Sequence, residues 1–356
     1  MIRSDLGQLV VSHCRQDLAP FIGDDRVEDC ENDLLRRWTE RQRYHHTLEH
    51  LCDLLRRIDA DWKAGSNDRA VLVATALFHD CVYHPGDPLN EEHSADVFRR
   101  WCGKKNHPLQ RNVERMIEAS NYRETPTGLL ATFLRYDAAM LYEGDYSALS
   151  RLEKNIFREF QAAPYPEYRA HRLRFLREWH VRYPEMPALP KAIEVAEAFQ
   201  PSIVAYAGSF NPFHLGHLDV IRRAEEAFDK VIVGVGVNRR KADQNLDSYE
   251  KLKTTLQFHQ VDYFEGLVTQ FLESALPGTT PRRLVRGLRD GYDLAKEIIQ
   301  FRFIHDLDPQ VEVMFFPCRR ELAHVSSSAV RELSLIDPRQ AASYCPDTKQ
   351  IYGLVE

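Results

Sequence analysis

The sequence predicts two domains of different class: an all-α helical bundle over residues 1–198 and an α/β domain with a parallel sheet over residues 199–356. Up to about residue 198, apolar residues recur at helical spacing and β-branched runs are nearly absent. After residue 201, short apolar runs typical of buried strands alternate with helical patterns, as in a sheet covered on both faces. A chain of 356 residues is long enough for two such domains.

Composition excludes several classes of protein. The hydrophobic share of 44% and the charged share of 28% are those of an ordinary globular chain, not of a disordered or fibrous one. The net charge of −6 argues against a nucleic-acid-binding protein, so any nucleotide site must be a local patch. The sequence shows no signal peptide after Met1 and no apolar run of about 18 residues, so no membrane association is expected. The seven cysteines are scattered without a Cys-x-x-Cys pair, which favours a reduced, cytoplasmic setting.

The first 198 residues are expected to form about eight to ten helices. Apolar stripes at helical spacing carry this expectation: Leu51, Leu54, Leu55 and Ile58; Val71, Ala74, Leu77 and Phe78; Val113, Met116 and Ile117. Three prolines in residues 183–190 break helices and predict a connector between the two halves. A last short helix is expected from about Ile193 to Phe199.

Histidines and acidic residues accompany these helices. His46 and His50 are four residues apart, which predicts that they share one helix face. His79 and Asp80 end one apolar stripe, and Asp137 lies in another. Burying such groups without a partner is costly, and a metal ion is the simplest partner for imidazole and carboxylate together. We therefore expect three helices to bring His50, His79, Asp80 and Asp137 to one ion.

This half resembles the HD superfamily of metal-dependent phosphohydrolases, through residues 44–50 (YHHTLEH), 78–83 (FHDCVY) and 90–95 (NEEHSA). The resemblance implies an HD-type helical bundle. In it, His50, His79, Asp80 and Asp137 hold a divalent transition metal (Mn, Fe, Ni or Zn) that activates water against a phosphate ester or a nucleotide. It also implies His46 as proton donor. Residues 120–121 (Ser-Asn) stand where relatives often carry another histidine, which implies one ion. The alternative is a nucleotide-binding or oligomerisation module without turnover.

The second half begins with a strand pattern and continues as alternating strands and helices. A helix is expected over Leu215–Phe228. Strands are expected over Ser202–Tyr206 and Lys230–Val235, and near Val261–Phe264, Arg283–Arg286 and Val311–Phe316.

The first strand leads directly into residues 208–217, GSFNPFHLGH. Such a strand–loop–helix corner is where an open parallel sheet binds its ligand, and the helix start attracts anions. His214 and His217 are three residues apart and face the same way on a first helical turn. Gly216 lets a phosphate approach the backbone closely. The motif predicts two imidazoles over a polyphosphate.

Two further signals follow along the chain. Arg286 and Arg289 flank Gly-Leu at the end of a predicted strand, with Glu297 downstream, and the guanidinium fork suits phosphate. Residues 326–328 are three serines at a predicted helix start. Their hydroxyls can cap the helix or bind phosphate, and taken alone the serines favour the cap.

In this order, the motifs resemble the nucleotidyltransferase superfamily with the HxGH motif, and within it the phosphopantetheine adenylyltransferases. The resemblance implies a Rossmann-like parallel-sheet fold and a homo-oligomer. It also implies transfer of the adenylyl group of ATP, with Mg²⁺, to 4′-phosphopantetheine. The products are dephospho-coenzyme A and pyrophosphate.

The resemblance also implies residue roles. Ser209 orients the attacking phosphate, and His217 contacts the ATP phosphates in the transition state. Lys241 and Arg286 hold the acceptor phosphate and the developing charge. The ATP side comprises Gly208, Phe210, His214, Gly216, Arg289, Glu297, Ser326, Ser327 and Ser328.

Departures from the family pattern bear on the acceptor. His214 stands where the family usually has threonine, and Asn211 where it usually has aspartate. The HxGH form also occurs in mononucleotide adenylyltransferases. Another phosphate-bearing acceptor, such as a mononucleotide, therefore stays open, whereas cytidylyl transfer is less expected.

Overall fold

The structure is a computed structural model that describes residues 2–103, 107–123, 125–237 and 242–355. By its internal contacts the chain divides into two compact units. The first comprises Met1–Glu159, His171–Ala198 and Tyr352–Glu356, and the second comprises Phe160–Ala170 and Phe199–Ile351. Two short segments, 160–170 and 352–356, thus lie on the other side of the division expected at residue 198.

Residues up to Ala198 are helical, which confirms the predicted all-α class. Two of the helices have only four or five residues, and with them the described helices outnumber the eight to ten expected. Their bounds are α1 (Ile2–His13), α2 (Ala19–Ile22), α3 (Val27–Arg37), α4 (Leu48–Asp61), α5 (Asn67–Phe78), α6 (Asn90–Cys102), α7 (Gln110–Glu118), α8 (Gly128–Asp137), α9 (Ala139–Glu143), α10 (Tyr146–Glu159), α11 (Tyr165–Arg182) and α12 (Leu189–Ala198).

The predicted stripes form the core of the first unit. Leu51 and Ile58 of α4 and Val71 and Phe78 of α5 are buried in one continuous apolar cluster. Fully burying such side chains contributes about 1.5–3 kcal/mol each, which is what holds short helices together.

The proline-rich stretch is not a connector between the halves, and that prediction is wrong. It lies within the first unit, where Met186, Ala188 and Leu189 are buried in an apolar cluster. The Ala188 N–H also donates to the Leu141 carbonyl at 3.0 Å. Prolines end α11 and start α12 here, but the residues between them pack as core.

The second unit is an α/β domain, as predicted. Its strands are β1 (Ile203–Gly208), β2 (Lys230–Val237), β3 (Val261–Glu265), β4 (Arg282–Leu288) and β5 (Val311–Pro317). Its later helices are α13 (Leu215–Ala227), α14 (Ala242–Thr255), α15 (Val268–Ala275), α16 (Gly291–Leu307), α17 (Ser327–Ile336), α18 (Pro338–Ser343) and α19 (Thr348–Tyr352).

The described strands form one parallel sheet of order β3-β2-β1-β4-β5. The order reverses direction between β1 and β4, and ligands of such sheets bind beyond the carboxyl ends of the strands at this reversal. Gly208 ends β1 there and Leu288 ends β4. The predicted GSFNPFHLGH and RGLR motifs therefore begin at the same edge of the sheet.

Segment 160–170 packs against the start of β2 within the second unit. The ammonium of Lys230 is fully buried and donates to the Gln161 carbonyl at 2.6 Å and the Ala163 carbonyl at 2.5 Å. The Gln161 amide donates to the Asp229 carbonyl at 2.6 Å. Burial disfavours the charged ammonium and lowers the pKa of Lys230 to about 7. The two carbonyl acceptors offset part of the cost of burying that charge.

Residues 352–355 return to the first unit. The Arg41 N–H donates to the Tyr352 carbonyl at 2.8 Å, and the Val355 N–H donates to a Glu40 carboxylate oxygen at 3.2 Å. Within the described ranges, no helix is long and apolar enough to cross a membrane.

Candidate active sites

The first unit brings together the four residues predicted to hold a metal. His50 lies on α4, His79 and Asp80 follow α5, and Asp137 ends α8. One donor atom from each of His50, His79 and Asp80 lies within 4.8 Å of the others. Asp137 Oδ1 lies 3.1 Å from His50 Nε2 and 3.5 Å from His79 Nε2. Two imidazoles and two carboxylates therefore face one point.

His79 has one ring nitrogen with a partner and one without. Its Nδ1–H donates to the Ala76 carbonyl at 3.0 Å, which directs Nε2 toward the carboxylates of Asp80 and Asp137. Nε2 is buried and makes no hydrogen bond to any residue that the structure describes. It lies 3.2 Å from Asp80 Oδ2, but not in hydrogen-bonding geometry. An unpaired buried nitrogen beside carboxylates suits a divalent transition cation.

Without a metal ion, the carboxylates of the cluster favour a protonated His79. Burial alone lowers the pKa of His79, but attraction to the Asp80 and Asp137 carboxylates outweighs it and raises that pKa to about 10. Burial favours neutral carboxyls, yet interaction with the histidines lowers the pKa of Asp80 and Asp137 below their usual range. The carboxylates thus stay ionised and attract positive charge.

His46 is not on the face of α4, and that prediction is wrong. The helix begins at Leu48, and His46 lies in the loop before it. One oxygen of Glu159 accepts the N–H groups of Tyr44, His45 and His46 at 2.7–2.9 Å, which fixes the backbone of this loop. His46 still belongs to the cluster, because its Nε2 lies 3.8 Å from Asp80 Oδ2.

Aromatic side chains adjoin the cluster. The Tyr122 hydroxyl donates to Asp137 Oδ2 at 2.5 Å. The Tyr122 ring contacts Trp179 at 4.6 Å between centroids, and Trp179 contacts the exposed Phe175 at 4.6 Å. Beside Tyr122, a cavity of about 320 Å³ is lined by four acidic residues and two arginines, with Pro88 and Asn121. Tyr122 thus links the carboxylate cluster to an aromatic surface.

In the second unit, His214 and His217 lie at the start of α13, directly after the loop that follows β1. His214 is the N-cap, and its Nδ1 accepts the Gly216 N–H at 3.1 Å. His217 Nδ1 accepts the His214 N–H at 3.3 Å. Because both Nδ1 atoms are acceptors, each neutral ring carries its proton on Nε2. The rings stack with centroids 3.6 Å apart.

Both imidazoles are held neutral. Burial, helped by the charge of Arg289, lowers the pKa of His214 to about 4. Burial, then His214 and Arg289, lowers the pKa of His217 well below its usual range. At neutral pH the pair therefore offers two Nε2–H donors at the positive end of a helix, which suits a polyphosphate.

The loop residues around this pair have little freedom. A Cβ on Gly216 would lie 3.0 Å from the His214 ring, so a larger residue would crowd the capping imidazole. Phe210 has a positive φ of 45°, which is strained for a bulky residue, and its ring centroid lies 5.0 Å from that of His217. Ser209, which precedes it, is exposed.

The predicted arginines follow at the end of β4. Arg286 donates through Nη1 to the Ala207 carbonyl at 2.6 Å, next to the end of β1. Its Nε is buried and lies 3.3 Å from Glu297 Oε2, yet makes no hydrogen bond with the described part of the chain. Arg289 is held by Asp293 at 2.7 Å. Glu297 thus lies beside Arg286.

The three serines are already engaged. Ser326 caps α17 by accepting the Ala329 N–H at 3.1 Å. A cap is the role that the sequence favoured for the serines when they were considered alone. Ser327 donates to the Pro212 carbonyl at 3.1 Å, which ties the serine turn to the loop after β1. Ser328 accepts from Arg331 at 3.0 Å. Lys241 lies outside the described residues.

The second half of the chain is similar to known proteins. The cytidylyltransferase-like family model matches residues 205–333. A phosphopantetheine adenylyltransferase of Rhodopirellula baltica is 33% identical over 140 residues, covering 38% of this chain and 76% of the relative. Relatives of the same name from Carboxydothermus hydrogenoformans (35% over 141 residues; 37% and 83% covered) and Rubrobacter xylanophilus (36% over 140; 38% and 83%) agree.

The chain belongs to the phosphopantetheine adenylyltransferase family. This confirms the predicted resemblance of its C-terminal half. The match to the cytidylyltransferase-like model lies entirely within the second unit. Relative to the phosphopantetheine adenylyltransferases named above, more than half of this chain is additional sequence.

Within this adenylyltransferase-family chain, sequence patterns missed Glu159, Tyr83 and Tyr122, which contact the predicted residues of the helical unit. Glu159 was detectable, because it follows Leu149, Leu152 and Ile156 at helical spacing and so falls on the apolar face of α10. A carboxylate on an apolar face must find donors. The two tyrosines carry no local signal, since only the tertiary fold brings their hydroxyls to acidic residues.

Proposed function

We propose that the second unit transfers the adenylyl group of ATP to 4′-phosphopantetheine and releases dephospho-coenzyme A and pyrophosphate. The observation that carries this proposal is the neutral His214–His217 pair at the start of α13, with both Nε2–H groups available. The names of the matched relatives support the acceptor. The arginines of β4 supply positive charge at the same sheet edge.

In the proposed reaction, a phosphate oxygen of the acceptor attacks the α-phosphorus of magnesium-bound ATP in line with the departing pyrophosphate. The bond between the α-phosphorus and its bridging oxygen breaks, and that oxygen keeps the electron pair. His217 Nε2–H donates to the charge that develops on the phosphates. Arg286 and Lys241 hold the acceptor phosphate, and Ser209 orients it. Rate then comes from positioning and charge stabilisation, without a covalent intermediate.

The ATP side of the proposed site contains the remaining predicted residues. The hydroxyls of residues 326–328 have intramolecular partners, so their part in binding is to exchange those bonds for the triphosphate or to fix the turn. Arg289 keeps its charge within its pair with Asp293 and adds to the field at His214. Glu297 balances Arg286.

The test is mass spectrometry of products after incubation with ATP, Mg²⁺ and 4′-phosphopantetheine. A parallel reaction with nicotinamide mononucleotide tests the alternative acceptor. Dephospho-coenzyme A with stoichiometric pyrophosphate supports the proposal. If pyrophosphate is released with nicotinamide mononucleotide but not with 4′-phosphopantetheine, the acceptor is a mononucleotide. If it is released with neither acceptor, adenylyl transfer is refuted.

We propose, second, that the first unit is an HD-type metal-dependent phosphohydrolase. The specific observation is the unpaired, buried Nε2 of His79 among carboxylates. His50, His79, Asp80 and Asp137 would hold one divalent transition metal. When bound, the ion supplies a water of lowered pKa for attack on phosphorus. His46, beside Asp80, would give a proton to the leaving oxygen.

A nucleotide is the substrate class that the surroundings of this cluster favour over a simple phosphate ester. The Tyr122–Trp179–Phe175 aromatic surface offers a stacking face for a base. A nucleotide should therefore quench the fluorescence of wild-type protein, and the Trp179→Phe variant should lose the part of the signal that Trp179 contributes.

Metal loading tests the hydrolase. Wild-type protein loaded with Mn²⁺, Fe²⁺, Ni²⁺ or Zn²⁺ should retain about one ion per chain by elemental analysis and hydrolyse a nucleotide or phosphate ester. Asp80→Ala should lose both metal and hydrolysis and keep adenylyl transfer. Asp53→Ala, an exposed position on α4, is the matched control. Retained nucleotide binding without metal or turnover would favour the alternative, a binding or oligomerisation module.

A homo-oligomer is the assembly that we propose for the chain. Along α16, Ile299, Phe303 and Leu307 recur every four residues and are 57–68% exposed. A contiguous exposed apolar stripe of this kind is typical of a subunit interface.

A further inference from the structure

A fully buried carboxylate, Glu159, lies behind His46. One oxygen, Oε1, accepts the N–H groups of residues 44–46. The other, Oε2, accepts the Tyr83 hydroxyl at 2.9 Å and lies 2.8 Å from His46 Nδ1. Tyr83 follows the His79-Asp80 pair, so Glu159 joins the two segments that carry the predicted cluster.

The hydrogen bonds decide where the shared proton lies. Five groups face the Glu159 carboxylate, and four of them donate to it. Three are backbone N–H groups, which can only donate, and the fourth is the Tyr83 hydroxyl. A protonated Glu159 would direct its own hydrogen into these donors. Burial favours the protonated acid, but His46 and the donated hydrogen bonds lower the pKa of Glu159 to about 2. The proton between them therefore belongs to His46 Nδ1.

With Nδ1 committed to Glu159, the other nitrogen of His46 faces the cluster. Its Nε2 lies 3.8 Å from Asp80 Oδ2, and the Tyr83 ring covers the imidazole at 4.2 Å between centroids. The ring is thus fixed in both orientation and tautomer, as a carboxylate fixes histidine in hydrolytic dyads and triads.

We propose that Glu159 is the positioning residue that holds His46 with Nδ1–H toward itself and Nε2 toward the cluster, so that Nε2 carries the transferable proton. This role rests on the proposed hydrolysis. As the phosphorus–oxygen bond to the leaving group breaks, its electron pair goes to the leaving oxygen, which takes the Nε2 proton. The attacking water gives its oxygen to phosphorus, and one of its protons restores the ring.

The Glu159→Gln variant separates this role from packing. A glutamine oxygen can still accept the three backbone N–H groups, but its NH₂ group then faces His46. A neutral His46 must accept at Nδ1, which moves its proton to Nε2. A neutral imidazole holding its only proton at Nε2 is a far weaker acid than the imidazolium, so proton donation fails.

The experiment is ¹⁵N NMR of the full chain with ¹⁵N-labelled histidine, recorded metal-free at alkaline pH and assigned with His46→Gln. In the wild type, His46 Nδ1 should carry the proton and Nε2 should not. Glu159→Gln should reverse this pattern. A wild-type ring protonated at Nε2, or an unchanged pattern in the variant, would overturn the proposal. The wild-type spectrum alone tests the assignment if the variant does not fold.

Kinetics and a matched control complete the test. Glu159→Gln should slow nucleotide hydrolysis by about 10²-fold or more and leave the bound-metal stoichiometry unchanged. Glu153→Gln, equally buried on the same helix but paired with Arg172 at 2.8 Å, should change neither the spectrum nor the rate. A reversed tautomer with a wild-type rate would refute the positioning role. A wild-type protein without hydrolysis would refute the proposed function, while the spectra still report the Glu159–His46 bond.

Discussion

Two neighbours of His217 fix the neutral state on which its proposed role as a donor depends. The backbone N–H of His214 occupies its Nδ1, and burial beside His214 and Arg289 keeps it from gaining a second proton. A neutral Nε2–H can donate a hydrogen bond to the charge that develops on a phosphate. It does so without the free-energy cost of burying an imidazolium cation.

Replacing His217 with alanine should therefore lower kcat for adenylyl transfer by about 10²-fold or more, because one preorganised donor to the developing charge is lost. Steady-state pyrophosphate release gives the rate. His217→Gln, whose amide can still donate, should recover part of it. His305→Ala, an exposed histidine on α16, is the control. An unchanged kcat in His217→Ala would refute the assigned role.

The low pKa of His214 has a consequence for stability. The unfolded chain binds a proton at His214 near pH 6.5, whereas the folded chain binds it only near pH 4. Between these values the unfolded state holds more protons, so this group lowers the free energy of unfolding as the pH falls. Urea titrations at pH 7 and pH 5 should show a smaller loss in His214→Gln than in the wild type. Equal losses would contradict the shift.

At the scale of elements, the predicted strands agree with β1 to β5 to within about two residues, because each is a short apolar run between polar turns. Helix α4 was expected to carry His46 but begins only at Leu48, and Glu159 fixes the backbone of the loop before it. Local pattern identifies a helix, but its first residue depends on tertiary partners. The proline-rich stretch gives the same result. Its prolines predict that helices end there, but nothing in the sequence predicts that the residues between them are buried.

The apolar stripe of α16 gives a prediction for assembly. Phe303→Glu places a charge in the middle of the exposed stripe and should shift the species in solution toward a smaller mass, measured by light scattering after gel filtration. Val181→Glu replaces an even more exposed apolar residue outside α16 and should not. A wild-type protein that is already monomeric, or a Phe303→Glu variant of unchanged mass, would exclude this stripe as an interface.

At the scale of the whole molecule, two folding units were predictable from the change of rhythm near residue 200, but their boundary was not. Segment 160–170 has a helical pattern like its neighbours, so nothing local assigns it to the second unit. Its place depends on Lys230, whose buried ammonium needs the carbonyls of Gln161 and Ala163. A single charged residue at a strand start therefore recruits a distant segment.

A fragment that begins at Gln200 tests this arrangement. It lacks those two acceptors for Lys230, so we expect it to melt at a lower temperature than the second unit in the full chain and to aggregate more readily. Lys230→Met in the same fragment should recover part of the loss, since it removes the stranded charge. Circular dichroism melts and sedimentation provide the measurement. A fragment as stable as its parent would show that segment 160–170 is dispensable.

The hydrogen bonds between residues 40–41 and residues 352–355 also have a consequence for the order of folding during synthesis. Protein synthesis is vectorial, and domains generally fold as they emerge. The helical unit is translated first, yet its own last contacts come from residues made only after the entire sheet unit. During translation the helical unit therefore lacks these contacts until the sheet unit has been synthesised. Only then can it form its full set of contacts.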